Sequence, residues 1–149
     1  PGGGGDVDDT PAASPWDGTY TGTLDIEVEA SFLWITRRDS CVGTVEMVVD
    51  STADPEITAI GSCSFSGDLA EDFPGTHGGD LTGMVFDDTD AGGEVIVDMG
   101  SGVDDIETDW NGTRSGDTVA GDFVTSFSFA TTGPDIPVDV IGHFDAIRD

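Results

Sequence analysis

From Gly18 onward, apolar and polar residues alternate over long stretches, the period-two pattern of half-buried β-strands. Tyr20, Gly22, Leu24, Ile26, Val28, Ala30, Phe32 and Trp34 share one face of a first strand, and Asp25, Glu27 and Glu29 the other. Residues 37–40 are the predicted turn. Cys41, Gly43, Val45, Met47 and Val49 point inward from a second strand, and Ile57, Ala59, Gly61, Cys63 and Phe65 from a third. A long loop is expected over 67–78. Leu81, Gly83 and Val85 begin a fourth strand, residues 88–92 turn, and Val95 and Val97 belong to a fifth. Ile106, Thr108 and Trp110 make a sixth, with Asn111-Gly112 opening a hairpin turn. Val119, Gly121, Phe123, Thr125, Phe127 and Phe129 form a seventh. Val138, Val140, Gly142, Phe144 and Ala146 form an eighth.

Pairing these strands makes specific predictions. Setting Met47 opposite Ile57 brings Val45 to Ala59, Gly43 to Gly61 and Cys41 to Cys63 on one face, which predicts a cross-strand disulfide. A turn centred on Arg38 and Asp39 sets Val28 opposite Val49 and Phe32 opposite Val45, and lays Trp34 over Gly43. In the last hairpin Phe123 faces Phe144, Phe127 faces Val140 and Phe129 faces Val138.

A short pattern recurs, apolar-x-Gly-x-apolar, around Gly22, Gly43, Gly83, Gly121 and Gly142. Inward glycines let strands bend sharply, as closure of a sheet requires. The expected fold is therefore all-β, an eight-stranded antiparallel up-and-down barrel. A β-sandwich meander is the alternative.

Composition narrows the function. Thirty-one Asp and Glu stand against four basic residues, a formal net charge of −27 over 149 residues. No basic stripe exists to release counterions, which excludes nucleic acid as a partner. The same charge opposes docking on anionic lipid, and no apolar run has the length of a membrane-spanning helix, so no direct membrane insertion is expected. High salt or bound divalent cations would offset the self-repulsion. A disulfide points to an oxidising, extracytoplasmic compartment, whether secreted, periplasmic or cell-surface. Residues 1–15 have no hydrophobic period and are expected to be a flexible Gly/Asp/Pro tether, with residues 16–149 as the single domain. In composition the tether resembles the segment after the lipidated cysteine of bacterial lipoproteins, which implies a lipid-anchored protein.

Gly18-Thr19-Tyr20 in the first strand and Arg148 at the end of the last resemble the calycin group, the lipocalins and avidins. There a first-strand aromatic, usually Trp, is covered by a basic residue from the last strand. Here Tyr20 or Trp16 would meet Arg148. Tyr replaces the usual Trp, and no biotin-site pattern is present. The resemblance implies a barrel with a ligand-holding interior.

Little in the chain suggests catalysis. No nucleophile elbow or phosphate loop is present, and His77 and His143 are expected on the surface. Asp88-Thr89-Asp90-Ala91-Gly92 followed by Glu94 carries the alternating oxygen ligands of a calcium-binding turn, with a plain acidic hairpin as the alternative. Asn111-Gly112-Thr113 is also a glycosylation sequon. Val42, Val48, Ile60, Met84, Phe86, Ile96, Val124 and Ile141 fall on outward faces, where contiguous patches would mark an interface. The expectation is a non-catalytic binding protein holding a small apolar ligand against Tyr20, Phe32, Trp34, Phe123, Phe127, Phe129 and Phe144. The alternative is a structural or adhesive module that meets a protein partner or itself through its outer apolar patches.

Overall fold

The computed structural model describes residues 14–98, 100, 105–129, 133 and 135–149. Eight strands follow one another: β1 (Gly18–Phe32), β2 (Ile35–Val49), β3 (Ile57–Phe65), β4 (Thr76–Val85), β5 (Asp90–Asp98), β6 (Ile106–Ser115), β7 (Thr118–Phe129) and β8 (Ile136–Arg148). Each pairs antiparallel with the next. β1 pairs with β8, from Tyr20 opposite Arg148 to Ala30 opposite Val138, so the sheet closes into a barrel. The sandwich alternative is thereby excluded. The tether expected over residues 1–15 lies, apart from Ser14 and Pro15, outside the described residues.

Alternation places one apolar set inside. Leu24, Ile26, Val28, Val45, Met47, Ile57, Val95, Trp110, Val140 and Phe144 are among the buried core side chains. The glycines act as expected, but not where Trp34 was expected to cover one. Gly121 lies opposite Phe144 and Gly142 opposite Phe123, and a Cβ on either glycine would overlap the facing ring. Trp110 likewise lies against Gly83 and Gly112. Large rings thus fill the space left by missing side chains, which closes the barrel tightly at these crossings.

Several expected registers are displaced. β7–β8 is shifted by two residues, with Phe127 opposite Val138 and Phe129 opposite Ile136. β2–β3 is shifted by the same amount, so that Gly43 faces Cys63 and Cys41 faces Phe65. A two-residue shift keeps every side chain on its face, which is why alternation cannot detect it. The Cys41–Cys63 disulfide forms nonetheless, along the diagonal, with the Cα atoms 5.1 Å apart. The first hairpin differs more. Phe32 pairs with Ile35, the turn is Leu33-Trp34, and Arg37 to Ser40 continue β2. Asn111-Gly112 is not a turn either. Both residues lie inside β6, Gly112 opposite Gly121, and the connection falls at 116–117, where Gly116 has φ 60°. Pairing on both sides outweighs the local preference of Asn-Gly for a turn. β4 begins at Thr76 and β5 at Asp90, both earlier than expected.

The two ends of the barrel differ. At one end, short connections join β2 to β3, β4 to β5 and β6 to β7, and the chain enters and leaves beside them. At the other, residues 66–75 fold over the opening with Leu69 and Phe73 buried, and the β1–β2 hairpin projects. Its β2 residues 35–40 extend beyond the last β3 pair, Cys41 with Phe65.

Candidate binding surfaces

The chain-entry end is built around Trp16, Tyr20 and Arg148. Trp16 is fully buried and donates through Nε1 to the Asp87 carbonyl at 2.8 Å. The Tyr20 hydroxyl donates to the Trp16 carbonyl at 2.6 Å. The Arg148 guanidinium lies 5.3 Å from the Tyr20 ring centroid and donates to the carbonyls of Asp17 (2.9 Å) and Pro15 (2.7 Å). Its Nε sits 3.2 Å from Asp117 Oδ1, close enough for an ion pair but not aligned as a hydrogen bond. Gly18, at φ 146°, leaves room for the Arg148 side chain, which a Cβ would approach to 3.0 Å. Burial raises the Tyr20 hydroxyl pKa, against the lowering influence of Arg148. The contact between a first-strand aromatic and a last-strand Arg is therefore present, and the barrel is compatible with a calycin-like one. It closes this end.

Among the described residues the interior holds little space. A cavity of about 30 Å³ lies among Leu24, Ala59, His77, Phe123 and Phe144, room for one or two waters. The expected ligand-lining residues separate. Phe123 and Phe144 border the cavity, while Tyr20 is buried in the core and not among its lining. Phe32 and Phe127 are partly buried against the core. Trp34 is 86% exposed at the hairpin tip and does not line the interior, because the true turn places it at the apex. The Phe129 side chain lies outside the described residues.

His77, expected on the surface, is buried. Carrying the period of Leu81, Gly83 and Val85 back toward the N-terminus would have placed it inside. Its Nε2 donates to the Phe73 carbonyl at 3.0 Å, and its ring meets Phe65 edge-on. Since a carbonyl only accepts, Nε2 carries the proton, and Nδ1 has no hydrogen-bond partner among the described residues. His143 is on the outer face, as expected. It bonds Asp122 Oδ1 at 2.7 Å and Asp145 Oδ2 at 2.8 Å, and these two bonds raise its pKa above the usual value.

The acidic turn does not assemble a cation site. Asp87, not Asp88 or Asp90, organises it. Its Oδ1 accepts from the Thr89 and Asp90 amides, and these bonds lower its pKa. Asp90 and Glu94 lie on the same strand four residues apart, about 13 Å at 3.3 Å per residue, too far to share one ion. Among the described residues no group of three acidic, His or Cys side chains could hold a metal.

The outer surface carries the apolar material. Val42, Val48, Ile60, Met84, Phe86, Ile96, Val124 and Ile141 are all exposed, as the alternation predicts. Val124 pairs directly with Ile141, and with Val42 they line a concave face across β2, β1, β8 and β7 whose acidic members include Glu27, Glu29 and Asp139. The hairpin tip was not anticipated. Leu33 is 75% exposed and Trp34 more so, and Ile35 is exposed beside them. The signal was the run Phe32-Leu33-Trp34-Ile35, four consecutive apolar residues that break the alternation. Among the described residues no helix is long and apolar enough to cross a membrane.

In comparisons with known proteins, the chain matches no family model, no curated protein and no solved structure.

Proposed function

We propose that this protein is a non-catalytic, extracytoplasmic binding module that makes its contacts through the outer surface of a filled barrel. The observation that carries this reading is the distribution of apolar side chains. Among the described residues the interior cavity measures about 30 Å³, against the roughly 300–1,000 Å³ of ordinary small-molecule pockets. Large apolar residues meanwhile stand exposed on the wall and on the hairpin. The Cys41–Cys63 disulfide fits an oxidising compartment. A protein partner that places basic and apolar groups together would complement Val42, Val124 and Ile141 beside Glu27, Glu29 and Asp139.

One observation favours the interior instead: His77, a residue that lines the cavity, has no hydrogen-bond partner for Nδ1 among the described residues. A single titration separates the readings. The neutral apolar dye N-phenyl-1-naphthylamine is expected to give no saturable fluorescence with the intact protein. Saturable uptake of one dye per chain that disappears in an Ala59→Phe variant would place the ligand inside and overturn the surface reading.

A further inference from the structure

We infer that the β1–β2 hairpin tip is a membrane-contact element that seats Leu33 and Trp34 in the interface of an electrically neutral, zwitterionic bilayer. The first ground is conformational. Two-residue hairpin turns favour Gly or Asn wherever φ is positive. Here the position belongs to Leu33, at φ 49°, and Trp34 follows it. Both side chains are largely exposed. A bulky residue in left-handed backbone that stands largely exposed costs stability, and such local violations mark sites kept for contact.

The second ground is charge. Arg37 and Arg38 are two of the four basic residues of a chain with net charge −27, and they follow the tip directly. Residues 30–38 contain no acid. Arg38 pairs with Glu29 at 2.8 Å and Arg37 with Asp72 at 3.5 Å, while the Arg37 guanidinium lies 5.3 Å from the Phe32 ring centroid. The arm is thus close to neutral on a strongly acidic body. It can settle at a neutral lipid surface with less desolvation of charge than the acidic walls would require.

The third ground is dimension. The arm overhangs β3, which sets its apex beyond the last β2–β3 pair. From Trp34 to Arg37 is about 10 Å at 3.3 Å per residue. That matches the depth over which interfacial segments bury apolar side chains while Trp and Arg sit among the headgroups. A protein pocket is the competing occupant. It is the weaker fit, because one narrow tip falls short of the area a specific protein interface buries.

This inference does not require the barrel interior to be filled. The probe is a unilamellar vesicle of pure phosphatidylcholine. Trp16 and Trp110 are buried, so a blue shift of Trp emission on adding vesicles reports Trp34. The expected result is a blue shift with co-sedimentation, undiminished at 0.5 M NaCl (about a 4 Å Debye length), and weakened by anionic lipid at low salt. The double variant Leu33→Asn/Trp34→Gly supplies favourable turn residues, so the fold is retained, and vesicle partitioning is expected to fall at least tenfold. Val124→Ser/Ile141→Ser on the outer wall should leave partitioning unchanged. Failure of the wild-type protein to partition at any salt overturns the proposal, as does partitioning that survives the tip variant or is lost with the wall variant.

Discussion

At one end of this barrel most buried polar groups find hydrogen-bond partners, Arg148 Nε, which only ion-pairs with Asp117, being the exception. Trp16 Nε1, the Tyr20 hydroxyl and the outer nitrogens of Arg148 all reach backbone carbonyls, and Asp17 accepts from the amide and hydroxyl of Ser51. At the other end, local preference is set aside. Leucine occupies a left-handed turn position, tryptophan faces outward, and His77 keeps a buried nitrogen without a partner among the described residues. The two ends share strands and core, so the contrast concerns use rather than stability of the sheet. Satisfied hydrogen bonds and a buried ring close the first end. The second carries features that cost free energy within the isolated protein, and these are the ones expected to act on something outside it.

That contrast can be broken most forcefully at Trp16. Trp16→Ala removes a fully buried ring from the chain-entry end and leaves a cavity there, and it is expected to cost about 3–5 kcal/mol of unfolding free energy. Urea denaturation measures it. A loss below about 1 kcal/mol would mean that the closed end does not depend on its aromatic plug. Next comes the disulfide, which closes a loop of 22 residues of separation and is expected to contribute about 3 kcal/mol. The double variant Cys41→Ala/Cys63→Ala, followed by the same denaturation, tests that figure. An unchanged midpoint would remove the bridge from the account of stability.

The hairpin tip should respond with the opposite sign. Leu33→Asn relieves the left-handed leucine, and the expected gain is about 1 kcal/mol. A stabilised variant would sharpen the contrast, because it would show a residue that the fold does not require. A destabilised one would mean that Leu33 packs in solution and that the tip is structural. The smallest effect belongs to His143, which faces Asp25 on β1 and Asp122 on β7 and bonds Asp122 and Asp145. Its pKa is raised in the folded state, chiefly by those hydrogen bonds. Its contribution is therefore complete below the unfolded value of 6.5 and fades as pH rises through the folded value. The site is half exposed, so the advantage of wild type over His143→Gln should be under about 1 kcal/mol near pH 5.5 and vanish in mildly alkaline solution. An advantage that grows with pH would contradict this assignment.

Much of the barrel is legible in the chain. Alternation from Tyr20 to Ala30 and from Val138 to Ala146 identifies the buried faces, and the inward glycines point to a closed sheet. Gly18, Tyr20 and Arg148 indicate how one end is covered. The binding surfaces are less legible. The aromatic set assembled by period contains residues that never meet, because period two assigns a face but not a height along the strand. Trp34 shares a parity with Phe32, yet the turn between Phe32 and Ile35 carries it out of the core. The acidic residues near Asp90 suggest a cation site by spacing alone, and extended backbone then sets Glu94 four residues along the strand from Asp90.

By itself, then, the sequence determined the class of fold, the inward and outward faces, the pairing of Cys41 with Cys63 and the acidic character of the surface. These follow from local alternation and composition, which persist through any two-residue slip. The tertiary structure alone decided the registers, the turn at Leu33-Trp34 in place of residues 37–40, the burial of His77 and the small size of the cavity beside it. Each depends on how neighbouring strands are offset so that Phe123, Phe144 and Trp110 can lie against glycines. That offset is set by long-range packing, and no local pattern along the chain encodes it.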